Sequence, residues 1–288
     1  MKNKIKEFLI VFLKGIFMGA ADIIPGVSGG TIALITGIYE RFIFSIYRFL
    51  ESIISVLEFT IKRNKGYLKN IIKLDDFLFL VILGLGIATS FLAMSKFILK
   101  LISTYPTYVY SFFFGLILAS AISIFKSLKD KKSDVLYGVL GFVLAFLLTG
   151  ISSVETSHSL PVILITGIVA ACAMLLPGIS GSFMVLVLGQ YEFMIKSLSS
   201  FNTKVVGTFL VGMSIGAFFM SKIISQLLKK HENKTLSLLI GLMFGALRLP
   251  LRKILLSSIS LFDPFKIGFS IMFSLVGILT ILLLEKMK

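Results

Sequence analysis

Two stretches of the chain carry the same small set of turn-forming and polar residues: Pro25, Gly26, Ser28 and Gly29 in the first, and Pro177, Gly178, Ser180 and Gly181 in the second. Pro followed by Gly suits the central positions of a type II turn, because Pro presets φ and Gly accepts φ > 0. A serine two residues further on can cap a helix that starts there. The first N–H groups of such a helix have no intrahelical partner, and with the positive end of the helix dipole they form a place for an anion. They belong to Gly29, Gly30 and Thr31 in the first stretch and to Gly181 and Ser182 in the second. The chemistry on offer is the holding of a charged oxygen, such as that of a phosphate, by the backbone. The plain alternative is a structural turn with the same capping geometry.

Five charged residues stand near enough to matter. Asp22 precedes Pro25 by three positions and is replaced by Met174 in the second stretch. At the carboxyl end of a helix the dipole disfavours a negative charge, so Asp22 needs a cationic partner or a proton. It is a candidate for coupling to a proton or sodium gradient, or else one half of a salt bridge that locks the turn. Glu40 and Glu192 follow Ser28 and Ser180 by 12 residues, roughly 18 Å along a continuous helix. That places them at a membrane interface with their neighbours Tyr39 and Tyr191, or makes them proton-exchange groups at two mouths. Lys96 and Lys222 lie far along apolar segments. They either snorkel to the interface or dock an anion on either side of the two turns.

The elements that must position these residues come from a wider duplication. Residues 15–46 and 167–198 align at an offset of 152 with 13 identities in 32 positions, among them Gly15/Gly167, Gly37/Gly189, Tyr39/Tyr191 and Glu40/Glu192. Each copy reads as helix, tight break, helix. The match continues at an offset of 126, pairing Gly86, Met94, Ser95, Lys96 and Gly115 with Gly212, Met220, Ser221, Lys222 and Gly241. Hydrophobic residues make up 57% of the 288 and the mean hydropathy is +1.00, above the roughly 45–50% apolar share of soluble domains. The chain reads as an all-α polytopic membrane protein. A break at membrane depth must then be buried in protein or line a wet cavity, and paired interrupted segments in two halves point to a transporter's binding site.

Apolar segments fall at 5–24, 27–60, 75–102, 106–127, 133–151, 160–176, 179–198, 202–228, 235–255 and 265–284, five in each half. The halves are residues 1–151 (hairpin 5–60, helices 75–151) and 152–288 (hairpin 160–198, helices 202–284), in one integrated membrane domain. A charged run at 62–76 reads as a solvated loop or surface helix. An odd number of crossings per half inverts the second half against the first, whether the hairpins span or are re-entrant. With the amino terminus inside, predicted inner segments hold 17 Lys and Arg and outer ones 6. Both termini are therefore expected in the cytoplasm, with Arg248, Arg252, Lys253 and Lys266 running against the rule.

Other classes fit poorly. The +15 net charge clusters between apolar runs instead of forming a stripe with interleaved aromatics, so nucleic acid is not the expected partner. Cys172, His158 and His231 have no metal-ligand spacing, and Cys172 reads as core. The basic, apolar amino terminus resembles a signal peptide, but cleavage after Gly19, Ala20 and Ala21 would cut through the repeat. A lipid phosphatase would need a nucleophile within reach of a general acid or base, and both histidines lie outside the hairpins. No catalytic residue, cofactor or metal is expected, and the oligomeric state is not legible.

The stretch KGIFMGAADIIPGVSGGTIALITGIYE (14–40) with its second copy LLPGISGSFMVLVLGQYE (175–192) resembles the bacterial polyprenyl-phosphate transporter family, PopT. The resemblance covers nearly the whole chain. It implies translocation of undecaprenyl phosphate from the outer to the inner leaflet of the cytoplasmic membrane, recycling the lipid carrier for cell-wall synthesis. The family pattern falls on Asp22, Pro25, Gly26, Ser28, Gly29 and Gly30, and on Pro177, Gly178, Ser180 and Gly181. Ser182 and Phe183 replace Gly30 and Thr31 in the second copy. With such a lipid the anion pocket serves the head, while the tail stays in the bilayer through a lateral opening lined by small residues such as Gly115, Ala119, Gly241 and Gly245. A carrier of a small soluble anion would use the same turns behind a closed wall.

Overall fold

The computed structural model describes residues 2–24, 26–62, 72–128, 134–154, 156–257 and 264–286. Among them thirteen helices form: α1 Lys2–Asp22, α2 Gly29–Ile35, α3 Tyr39–Lys62, α4 Leu74–Thr104, α5 Pro106–Ser127, α6 Val135–Leu148, α7 Leu160–Leu175, α8 Gly181–Val187, α9 Tyr191–Ser199, α10 Thr203–Lys230, α11 Glu232–Ala246, α12 Arg248–Ser257 and α13 Pro264–Lys286. Pro25, most of the charged run at 62–76 and parts of the basic segments 126–132, 248–266 and 286–288 lie outside the described residues.

Four helices, α4, α5, α10 and α13, are long and apolar enough to cross a membrane. At 31 residues, α4 extends about 46 Å, beyond the roughly 30 Å of a hydrocarbon core. Its termini follow local chemistry, with Asp75 and Asp76 in the first turn, where negative charge suits the dipole. Asp76 also pairs with Arg48 of α3 at 2.6 Å. Pro106 opens α5 and Pro161 sits in the first turn of α7, where a missing N–H costs nothing. Large apolar side chains such as Leu92, Phe97, Phe219 and Leu283 are exposed along these helices, as a lipid-facing surface requires. The chain is a helical membrane protein.

Three segments expected to be continuous are broken. The 27–60 segment divides into α2 and α3 at Gly37 (φ 72°), and 179–198 divides into α8 and α9 at Gly189 (φ 66°). Both corners are Schellman motifs. Gly37 N donates to Leu34 O and Ile38 N to Ala33 O; Gly189 N donates to Leu186 O and Gln190 N to Val185 O. Lys14 Nζ donates to Thr36 O at 2.7 Å, adding a positive charge at the carboxyl end of α2. The third break separates α11 from α12 at Leu247. Pro250 lies three residues on, and its ring would collide with the carbonyl of residue 246 in an uninterrupted helix.

Packing repeats between the halves. α1 lies on α4 and α7 on α10, while α5 pairs with α13 and α6 with α11. At each crossing glycines let backbones touch: Gly15 meets Leu83 and Gly86, Gly167 meets Phe209 and Gly212, Gly115 meets Ser274, and Gly241 meets Gly138. This corrects the lateral opening expected at Gly115, Gly241 and Gly245. Those residues are closed against neighbouring helices, and a Cβ at any of them would strike a backbone carbonyl. The main core gathers around Ile43, Phe79, Leu83, Leu239 and Met243. A smaller cluster under the second hairpin includes Ile163, Ala170, Val185 and Met194.

Candidate functional site

The two breaks face each other in the interior. Gly26 and Gly178 have φ of 89° and 88°, and Val27 N donates to Ile24 O at 3.0 Å, the bond and the sign of φ that a type II turn requires. Ile179 N reaches Leu176 O at 3.4 Å in the second turn, after Pro177. Leu249 of α12 presses on Gly26, and Leu242 and Met243 of α11 press on Gly178. Each tip thereby packs against a helix outside its own hairpin.

The first tip is closed on itself. Ser28 adopts the extended N-cap conformation and its Oγ accepts from Gly30 N at 3.2 Å. The Asp22 carboxylate at the end of α1 reaches across the turn and accepts from Gly29 N at 2.7 Å. Thr31 N donates to Ser28 O at 3.0 Å. The amides expected to be unpartnered at this tip therefore all have partners, and Asp22 is the group that holds the first of them. No Lys or Arg pairs with Asp22 among the described residues, so of the two expected alternatives the salt bridge is not formed; the half-buried carboxylate is held by the Gly29 amide.

The first tip also satisfies the second. Ser28 Oγ donates to Leu176 O at 3.2 Å, Tyr39 OH to Leu175 O at 2.9 Å, and Thr31 Oγ1 accepts from Gly178 N at 2.8 Å. These bonds cover polar groups that the end of α7 leaves open, and Ser28, Thr31 and Tyr39 are almost completely buried. Tyr39 is thus no interfacial residue; its hydroxyl spans the two hairpins, while Tyr191 is exposed. Its identity in both copies was the signal, read as a membrane anchor because nothing in one dimension shows where a ring points.

The second tip is different. Ser180 has the backbone of an N-cap, but its hydroxyl meets Ser182 Oγ at 2.8 Å and caps no amide. The N–H groups of Gly181 and Ser182 have no hydrogen-bond partner among the described residues. Met174 lies beside Gly181, in the place that Asp22 takes beside Gly29. The pair of tips is one closed and one open version of the same device.

The other expected residues stand away from the tips. Glu40 and Glu192 are exposed in the first turns of α3 and α9, beyond the Schellman corners, so the distance along one straight helix does not apply. Lys96 is exposed on α4, and half-buried Lys222 lies 5.8 Å from the Phe218 ring; neither bonds to a tip. Arg248 finds a reason to sit where charge balance disfavours it. Its Nη1 donates to Phe146 O at 2.6 Å and its guanidinium lies 4.3 Å from the Phe146 ring, so it caps the carboxyl end of α6. Cys172 is half-buried, facing Gly216 of α10. Among the described residues no three His, Cys, Asp or Glu side chains gather to hold a metal.

Residues 18–260 match the VCA0040-like family, described as undecaprenyl phosphate translocase-like. A polyprenyl-phosphate transporter of Vibrio cholerae serotype O1 is 40% identical over 248 residues, covering 86% of this chain and 79% of that protein. A polyprenyl-phosphate transporter of Staphylococcus aureus is 32% identical over 272 residues, covering 83% of this chain and 84% of that protein. No solved structure matches the chain. The abutting Pro-Gly tips fall inside the matched span, and the chain belongs to the VCA0040-like, undecaprenyl phosphate translocase-like family.

Proposed function

We propose that the chain carries undecaprenyl phosphate from the outer to the inner leaflet of the cytoplasmic membrane, returning the lipid carrier to cell-wall synthesis. The observation that carries this reading is the pair of unequal tips: the Gly181 and Ser182 amides are open, while the equivalent Gly29 amide is held by Asp22. A phosphate oxygen takes the open amides and the Ser180 and Ser182 hydroxyls first. Uptake of a proton or a sodium ion by Asp22 then loosens its hold on Gly29, and Gly29, Gly30, Thr31 and Ser28 become available to the same phosphate. Asp22 thereby ties movement to a proton or sodium gradient. Lys96 and Lys222 dock the head at the two faces, and Glu40 and Glu192 exchange protons at the hairpin corners. Pro25, Gly26, Pro177 and Gly178 shape the turns, and no covalent bond is made or broken.

Two further features support a lipid over a small soluble anion. An apolar cavity of about 630 Å³ lies beside the first tip, lined by Ile24, Ile98, Tyr108, Phe112, Phe113 and Phe273, and suits part of a prenyl chain. Both curated relatives carry polyprenyl phosphate in their names. The layout we propose is two inverted repeats, 1–151 and 152–288, with re-entrant hairpins and both termini in the cytoplasm. Equivalent packing of α1 on α4 and α7 on α10, and seven-residue α2 and α8, each about 10 Å long, favour it.

The test is leaflet-resolved accessibility of a labelled prenyl phosphate in proteoliposomes, with and without a proton gradient. Protein-dependent exchange that responds to the gradient is expected. Exchange no faster than in empty liposomes refutes the proposal, and release of inorganic phosphate would make the protein a phosphatase.

A further inference from the structure

The connection between α6 and α7 is tied to the base of the second hairpin. Val154 N donates to Val187 O at 2.8 Å and Thr156 Oγ1 to Leu188 O at 2.6 Å, satisfying carbonyls at the end of α8. Gln190, completely buried just past the corner, donates from Nε2 to Thr156 Oγ1 at 2.6 Å and to Ser157 O at 3.1 Å. Its Oε1 lies 2.8 Å from His158 Nδ1. Because the Ser157 carbonyl can only accept, the Gln190 amide has one workable orientation, and its oxygen must receive a proton from His158. The imidazole is therefore fixed as the Nδ1–H form, stacked flat on Phe193 with centroids 4.2 Å apart and planes at 4°. Nε2 remains to accept a proton, or to donate once it has one.

His158 lines a polar cavity of about 300 Å³ together with Ser153, Tyr191, Glu192 and Lys196. This cavity sits at the far end of α7 from the tips, a helix of 16 residues or about 24 Å. Glu192 and Lys196 stand one turn apart on α9, with no ion pair between them among the described residues. Among the described residues the first hairpin has nothing equivalent. Ile38, Arg41 and Phe44 replace Gln190, Phe193 and Lys196 there, and Arg41 is committed to Glu7 at 2.9 Å and to the Phe79 ring at 4.5 Å.

We infer that this cavity is a second phosphate-monoester site, with His158 Nε2 and Lys196 as its charged contacts and the Tyr191 and Ser153 hydroxyls as neutral donors. A monoester with a second pKa of about 6 brings a proton that His158 Nε2 can share. Glu192, the one anion lining the cavity among the described residues, makes a bound dianion unfavourable and keeps that proton in the site. The headgroup chemistry is common to a prenyl phosphate and to free phosphate, and the inference rests on the transport reading only for the lipid's identity. A site on one hairpin base and not the other is what loading from a single leaflet requires.

The chain has two histidines, His158 and His231, so ¹⁵N-histidine NMR of the full chain in nanodiscs reads the site directly, with His231→Gln assigning the signals. Titration with farnesyl phosphate should move the His158 Nε2 resonance saturably towards the imidazolium position. Lys196→Ala should raise the half-saturation concentration about tenfold. An equal response to inorganic phosphate assigns the site to the phosphate group from either source, and a response to farnesyl phosphate alone assigns it to the lipid headgroup. No movement with either ligand, the same movement with farnesol, or an unchanged titration in Lys196→Ala overturns the inference. A chain that moves no lipid in liposomes yet shows this titration loses the transport reading and keeps the site.

Discussion

Asp22→Asn separates the structural work of the carboxylate from its charge. In the wild type Asp22 Oδ1 accepts from Gly29 N at 2.7 Å, and no cation supports it among the described residues. Asn keeps an oxygen in the same place, so the bond survives as a neutral one. Hydrogen bonds to charged groups contribute about 1.5–3 kcal/mol and neutral ones about 0.5–1.5 kcal/mol, which makes the expected loss about 1 kcal/mol. At roughly 2–4 °C per kcal/mol for a chain of this size, melting in detergent should fall by about 2–4 °C. Asp22→Ala leaves the buried Gly29 amide unpaired and should cost about 1–3 kcal/mol. In proteoliposomes Asp22→Asn should still move prenyl phosphate but no longer respond to the proton gradient. An Asn variant that melts as low as the Ala variant refutes the hydrogen-bond account, and one whose transport still follows the gradient refutes the coupling role.

Thr31→Val removes the acceptor for Gly178 N and should cost about 1–3 kcal/mol, whereas Thr31→Ser should melt close to wild type; equal losses would mean that the hydroxyl bond between the tips is not what Thr31 provides. Gly37→Ala should cost about 1–2 kcal/mol for its left-handed backbone alone. Gly189→Ala should cost visibly more, because its Cβ would also strike Val154 O, and equal melting shifts would contradict that contact. Gly29→Val should abolish transport in a protein that still reaches the membrane, since a side chain there displaces the Asp22 carboxylate; normal exchange in liposomes would reduce the tip to a turn. Single cysteines at 152–158 should react with an impermeant reagent in intact cells and those at 229–234 should not, and the opposite pattern would end the inverted arrangement.

The tips were legible because Pro, Gly and Ser carry their conformational preferences wherever they stand, and the duplication showed which of them belong together. The Schellman corners at Gly37 and Gly189 were present as identities, but continuous apolar residues on both sides hid them, since hydropathy does not distinguish one long helix from two short ones. The difference between the tips was half visible in the exchange of Asp22 for Met174. That Asp22 would turn back to Gly29 depends on the width of the turn, and that Ser180 would choose Ser182 over an amide depends on its rotamer. Neither is written in the spacing. Arg248 ran against charge balance because its partner is a carbonyl 102 residues earlier, which no local pattern records.

The pairing of α5 with α13 also bears on how the protein is made. Ser274 Oγ donates to Ser111 O across a sequence separation of 163 residues, and Tyr108 stacks on Phe273 at 5.4 Å. At about 5–20 residues per second, the ribosome needs on the order of 10–30 s after finishing α5 before its partner exists. During that interval the α5 face around Gly115 must be covered by lipid or by the insertion machinery. The helix that packs on α5 is made long after it, so chains stopped before residue 264 should be substrates for membrane quality control, not partial carriers.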